Sequence, residues 1–237
     1  MESTPLSTKQ DYYNKRKDHW SSKEATLAAV LGGYSDTHLP DVKCSNELLS
    51  GLIQTNNLIP GRALDCAAGI GRVTQYVLVN FFKEIELVEQ EEKFVNKAKE
   101  LLSSNPKVIG YYNKPLEQFD FNNKTNYYDL IWIQWCLENL EDDDLDSFIK
   151  KCYNALNDNG IIIVKENILI EDDESEDNNI KDNNKVYSKE DISRQREDSS
   201  YIELFTKNGF SLFRHFPNPN WPDGLMPLII YVLKKKK

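Results

Sequence analysis

The nine residues LDCAAGIGR, Leu64 to Arg72, follow a short apolar run and precede VTQYVLVNFF, which has the pattern of a helix. The smallest side chains of the segment therefore fall where a strand gives way to a helix. Gly69 and Gly71 carry no Cβ, so the backbone there is free to take conformations closed to other residues and to approach another molecule closely. Two glycines alone leave two readings open. Either a ligand lies against the turn, or the turn simply lets a helix pack on a sheet.

From Arg62 onward, short apolar segments alternate with helix-like ones, the signature of a parallel sheet covered by helices. Strands are predicted at RALDC, EIELVE, VIGYY, YDLIWIQW and GIIIVKEN, and two more at SLFRHF and LIIYVL, seven in all. Between them IGRVTQYVLVNFF, EEKFVNKAKELL, DDDLDSFIKKCYNAL and SSYIELFTKNGF place apolar residues three and four apart, as amphipathic helices do. NDNG stops the third of these before a strand. Two earlier helical patterns, around Tyr12 to Leu31 and Ser45 to Asn56, are separated by LGGYSDTHLPD. They form an N-terminal extension over 1–60, read as a cap over the carboxyl ends of the sheet, where open α/β sheets bind ligands. The one composition break, EDDESEDNNIKDNNK from Glu171 to Lys185, is polar and acidic; it predicts a surface insertion over 171–187 that lacks apolar surface to order itself.

The 237 residues, 40% of them hydrophobic and without internal repeats, predict a single domain over 1–237. A formal net charge of −9 argues against a general nucleic-acid-binding surface and favours a basic substrate. Cys44, Cys66, Cys136 and Cys152 are widely spaced, with no CxxC pair and no signal peptide at MESTPLSTKQ, which implies a reducing, cytoplasmic setting. The final LKKKK reads as a solvated chain end first and a weak nuclear address second. No apolar run is long enough to span a bilayer, so no membrane partner is expected. No His, Cys and carboxylate cluster has metal-ligand spacing, so no metal is expected.

In dinucleotide-binding and related folds, an acidic residue about 20 positions after the glycine turn bonds a ribose. Glu89, at the end of EIELVE, stands in that place. The turn lacks the GxGxxG order that holds a pyrophosphate, so a nucleoside without phosphates fits better than NAD. At the end of the fourth strand, WIQWCLENL sets Trp132, Gln134 and Trp135 together, and two tryptophans there suit a purine or a cation. Alternation assigns Trp132 to the core and Trp135 to the site. Asn167 in KENI both donates and accepts, which suits gripping a backbone or an amine, although asparagine is also an ordinary turn residue.

ALDCAAGIGR, ELVE, WIQW, GIIIVKEN and the earlier LGGY resemble the protein α-N-terminal methyltransferases, which use S-adenosylmethionine to methylate the amino terminus of proteins beginning X-Pro-Lys. The resemblance runs from about Tyr13 to the last strand. It implies an α/β class I methyltransferase fold, Rossmann-like, with a seven-stranded sheet, helices on both faces, an N-terminal helical cap and an antiparallel seventh strand. It implies S-adenosyl-L-methionine as cofactor, S-adenosyl-L-homocysteine as product and an X-Pro-Lys tail as partner. The cofactor residues it implies are Trp20, Gly69, Gly71, Arg72, Glu89, Leu116, Glu117 and Gln134. For the substrate it implies Leu31 and Trp135 around X-Pro, and Asn167 and Asp191 at the reacting amine. Asp191 lies in EDISRQRED, which resembles the family's D-x-S-x-x-R pattern with Ser193 and Arg196 in place. Asp191 and Asn167 are thus the implied catalytic pair.

The chain departs from that pattern at several positions. Ala67 replaces the first glycine of the turn, a change that a backbone of negative φ tolerates. Asn139 replaces a histidine and cannot act as a base. Ser188 and Lys189 replace an acidic pair that receives the substrate lysine, Met226 replaces a tyrosine, and His19 replaces an aromatic residue beside Trp20. These departures keep two other functions in view: methylation of a small amine or metabolite, and cofactor binding with lost catalysis.

Overall fold

A computed structural model describes residues 8–169, 179–182, 185–188, 192–219 and 221–236. Seven strands form one sheet: β1 (Arg62–Cys66), β2 (Glu84–Glu89), β3 (Val108–Asn113), β4 (Tyr128–Gln134), β5 (Leu156–Asn167), β9 (Phe210–Pro217) and β10 (Leu228–Lys235). A second sheet holds β6 (Asn179–Asp182), β7 (Lys185–Ser188) and β8 (Arg194–Gln195). The helices are α1 (Lys9–Ser22), α2 (Leu27–Val30), α3 (His38–Gln54), α4 (Arg72–Tyr76), α5 (Glu92–Leu102), α6 (Asp142–Ala155) and α7 (Asp198–Lys207).

The strand order is β3-β2-β1-β4-β5-β10-β9. β1 pairs in parallel with both β2 and β4, whereas β10 runs antiparallel to β5 and β9. The order therefore reverses at β1, and a crevice opens beyond its carboxyl end. Helices on the two faces bury two clusters. Leu130 and Trp132 of β4 join Leu48, Leu52 and Leu102 on one face, while Ile131 and Ile133 join Phe148, Ile149 and Phe205 on the other. Covering both faces of β4 is what makes its sequence a nearly continuous apolar run. On α5, Phe94, Val95, Ala98 and Leu102 are buried at intervals of one, three and four residues; each large one contributes about 1.5–3 kcal/mol. Trp132 is fully buried, as its alternation predicts.

Several boundaries differ from the sequence expectations. The Tyr12–Leu31 pattern divides into α1 and α2, because Thr26 accepts from the Ala29 N–H at 3.3 Å and starts a new helix. α3 begins at His38 rather than Ser45; Pro40 sits in its first turn, where no N–H partner is lost. The helix predicted to reach Phe82 ends at Tyr76, where Val77 (φ −128°, ψ −66°) breaks it, and a 3₁₀ turn follows. β5 begins at Leu156, four residues before the predicted start at Gly160, with a register shift against β4. Within the insertion expected to lack order, the described residues form the β6–β7 hairpin. Tyr187 anchors this hairpin: it is buried, its ring lies 5.7 Å from that of Tyr12, and its hydroxyl donates to Glu141 at 2.9 Å.

The four cysteines are buried free thiols. Among the described residues no helix is long and apolar enough to cross a membrane.

Candidate active site

A cavity of about 880 Å³ lies at the carboxyl ends of the central strands. Its wall takes Asp65 and Cys66 from β1, Glu89 from β2, Gln134 and Trp135 from the end of β4, and Asn167 from β5. Trp20 and Leu31 come from the N-terminal extension, Leu116 and Glu117 from the turn after β3, Ser188 from β7 and Ser193 from just before β8. Asp191 and Lys189 lie outside the described residues.

The two glycines of the turn have different surroundings. Gly69 lines the cavity at φ 56°, and a Cβ there would stand 3.5 Å from Val30, so the turn lies beneath α2. Gly71 does not line it. At φ 80° it precedes α4, and a Cβ would meet Leu102 of α5 at 2.8 Å, so its bareness serves helix packing. The expectation of negative φ at Ala67 is corrected: Ala67 takes φ 51°, a left-handed conformation that crowds its Cβ against the backbone.

Glu89 is buried and ties this turn together. Its carboxylate accepts from the N–H groups of Gly69 and Glu91, each at 2.8 Å. Burial pushes its carboxyl up to about 7, against the pull of those two donors. Hydroxyl donors from a ribose would add to that pull, so this carboxylate suits a nucleoside. Asp65 is pushed up to about 6 by burial and accepts from the Thr74 hydroxyl at 2.7 Å and N–H at 3.1 Å.

Arg72 lines the cavity but is also buried in an ion pair, its Nη1 2.8 Å from Asp41. Gln134 is engaged at both ends. Its Nε2 donates to Asp41 at 2.9 Å, and its Oε1 accepts from the Trp132 indole at 3.0 Å. Burial pushes the Asp41 carboxyl up, yet Lys165 and Arg72 outweigh that and hold it below the usual range.

At the other end of the cavity Trp135 adopts φ 52°, uncommon for a large side chain. Its ring centre is 6.0 Å from that of Trp221, at 44°, and the Arg72 guanidinium carbon is 5.1 Å away. Trp221 donates to the Met226 carbonyl at 3.1 Å, and both line the cavity. Glu166, pushed up to about 8 by burial, accepts from the N–H groups of Cys136 and Leu137 at 2.8 Å each and so holds the loop after Trp135. Arg196 clamps the same loop, donating to the carbonyls of Leu137 at 3.1 Å and Leu140 at 2.6 Å. Asn139 donates to the Trp135 carbonyl at 3.3 Å. Asn167 presents a buried Oδ1 that has no hydrogen-bond partner among the described residues. Ser193 is buried and accepts from Gln195 at 3.0 Å.

No sequence signal marks Trp221, Glu138 or Asp41. Trp221 sits in the aperiodic loop NPNWPDG, Glu138 in a 3₁₀ turn on the cavity wall, and Asp41 reads as an ordinary polar residue of a helix. Among the described residues no group of three or more His, Cys, Asp or Glu is arranged to hold a metal ion.

A sheet of this order with an antiparallel seventh strand, a glycine turn after β1 and a carboxylate at the end of β2 defines a class I S-adenosylmethionine-dependent methyltransferase. A solved Leishmania major structure, described as a SAM-dependent methyltransferase, superposes with a TM-score of 0.83 and 31% identity, over 98% of this chain and 87% of that one. The chain belongs to the AdoMet dependent proline di-methyltransferase family, whose profile matches residues 8–234. Alpha N-terminal protein methyltransferase 1 of Dictyostelium discoideum is 34% identical over 231 residues, 95% of this chain and 80% of that protein. N-terminal Xaa-Pro-Lys N-methyltransferase 1-B of Xenopus laevis is 31% identical over 226 residues, 94% of this chain and 95% of that protein. The cofactor is therefore S-adenosylmethionine, and the site fits it: the buried Glu89 carboxylate and the Gly69 backbone, at a positive φ, share one cavity wall.

Proposed function

We propose that this chain methylates the α-amino group of proteins that begin X-Pro-Lys. The observation that carries this reading is the joint lining of one cavity by Glu89, Trp135 and Asn167, from the ends of β2, β4 and β5. The names of the Dictyostelium and Xenopus relatives support it.

S-adenosylmethionine, when bound, supplies an electrophilic methyl group on a sulfonium. Gly69, Glu89, Leu116, Glu117 and Trp20 would hold its nucleoside. The chain's task is then orientation, because an in-line displacement needs the amine lone pair aimed along one axis. Asn167 does this through its amide oxygen, which accepts from an amine N–H. Trp135, Trp221 and Leu31 grip the second residue of the substrate. Proline there has φ set near −65° and no N–H, so it enters an apolar slot without leaving a donor unpaired.

Proton removal asks little of the protein. An α-amino group has an ordinary pKa of about 7.7–8.0, so a useful fraction is already neutral. Asp191 takes the proton from the remainder, directly or through water, and Asn139 takes none.

Mass spectrometry of a peptide panel varied at the first three residues, run beside free amino acids and small amines, tests the reading. An X-Pro-Lys product heavier by methyl groups is expected. Transfer confined to small amines, or none with S-adenosylhomocysteine still bound, overturns it.

A further inference from the structure

Asp41 belongs to the N-terminal extension, far from the methyl-transfer site in sequence, and is 1% exposed. Its carboxylate nonetheless meets three separate elements around the cavity. Arg72 at the start of α4 donates to Oδ2 at 2.8 Å, Gln134 at the end of β4 donates to Oδ1 at 2.9 Å, and Lys165 of β5 also bonds Oδ1. These partners lie 31, 93 and 124 residues away. Ser45, one turn on in α3, accepts from Lys165 at 3.0 Å and donates to the Asp41 carbonyl at 2.7 Å, which locks the carboxylate's own helix.

The two cations differ in what they touch. Lys165 is fully buried and is not on the cavity wall, so its pairing with Asp41 only neutralises a charge. Arg72 is on the wall, and its guanidinium carbon lies 5.1 Å from the centre of the Trp135 ring. Trp135 needs such support. Its backbone holds an uncommon conformation, and its indole N–H has no hydrogen-bond partner among the described residues, so no hydrogen bond of the ring fixes its orientation there.

We propose that Asp41 is a positioning residue of the methyl-transfer site: by holding Arg72 it sets the Trp135 indole where the substrate enters. The inference rests on the peptide reading above for its consequence on substrate, but not for its effect on Trp135 itself.

A variant must separate this role from mere charge balance. In the parent, Asp41, Arg72 and Lys165 sum to one positive charge; Asp41→Leu with Lys165→Met keeps that sum and replaces a buried ion pair by apolar groups, which folds tolerate. Because Arg72 loses its carboxylate but keeps its place on the cavity wall, the double variant is expected to unfold cooperatively at a temperature below the parent's. Its near-ultraviolet circular dichroism should lose intensity in the tryptophan bands, and that loss should vanish when the same pair is placed in a Trp135→Phe background. KM for an X-Pro-Lys peptide should rise about tenfold, more than kcat falls. Lys165→Met alone, which keeps Asp41 on Arg72, should retain the parent's spectrum and KM. A double variant with the parent's tryptophan bands, or Lys165→Met alone reproducing the loss, overturns the proposal. If the double variant does not fold, Arg72→Gln, which leaves Asp41 paired with Lys165, must show the same loss of the Trp135 bands; an unchanged spectrum overturns the proposal. Failure of the peptide reading is distinct, because the parent itself would then transfer no methyl group to the peptide.

Discussion

The carboxylate of Glu89 accepts from the Gly69 N–H at 2.8 Å, bridging the end of β2 to the turn after β1. One contact thus binds the acidic residue to the glycine it accompanies in sequence, and it sets the shape of the cofactor wall before any ligand arrives. Burial places the Glu89 carboxyl at about 7 rather than its ordinary 4.5.

The affinity for S-adenosylhomocysteine should therefore rise between pH 6 and pH 8, because hydroxyl donors bind the ionised form. The linkage for stability runs the other way. With a raised folded pKa, the contribution of Glu89 to the ligand-free fold is present below pH 4.5 and is lost as pH rises through about 7. Glu89→Gln should weaken binding at pH 8 by about 10- to 100-fold and flatten the pH dependence, as titration calorimetry at several pH values will show.

Asn167→Ala should lower kcat/KM on an X-Pro-Lys peptide by about 10- to 100-fold while leaving the affinity for S-adenosylhomocysteine within a few-fold of the parent. Asp191→Asn should lower kcat by about 5- to 10-fold at pH 7, with a smaller deficit at pH 9, where the amine is already neutral. Mass-spectrometric time courses at the two pH values check both.

Trp221→Ala should raise KM for X-Pro-Lys peptides by about 2- to 10-fold, the range for loss of an aromatic pair, and Trp135→Ala by more. Steady-state kinetics on X-Pro-Lys and X-Ala-Lys peptides is the check, and the preference for proline should shrink in both variants.

Ala67→Gly should raise the melting temperature by about 2–4 °C, since it relieves about 1 kcal/mol of left-handed crowding at φ 51°. Gly71→Ala should lower it by more than that, because its φ of 80° is unfavourable for alanine and the new methyl meets Leu102 at 2.8 Å. Calorimetric melts of the ligand-free protein measure both.

The alternating pattern of strands and helices was legible because period-two and 3.6-residue runs are properties of neighbours in the chain. All seven strands of the main sheet were predicted, β5 with a start four residues too late, and Trp132 and Trp135 divide between core and cavity as alternation required. Helix ends were less legible. α4 stops at Tyr76 and α3 starts at His38 because dihedrals and caps there answer to packing rather than to periodicity.

From residue order alone came the α/β class, the glycine turn and the strand-end residues Glu89 and Trp135, since a strand's end and its side-chain alternation are written locally, while Asn167 is singled out only by the resemblance to the family. Folding in three dimensions settled the rest: that Gly71 faces Leu102 while Gly69 faces the cavity, that Ala67 is left-handed, that Trp221 stands beside Trp135, and that Asp41 gathers Arg72, Gln134 and Lys165. Those facts depend on burial and on charges brought together from as many as 124 residues apart, which no local pattern encodes.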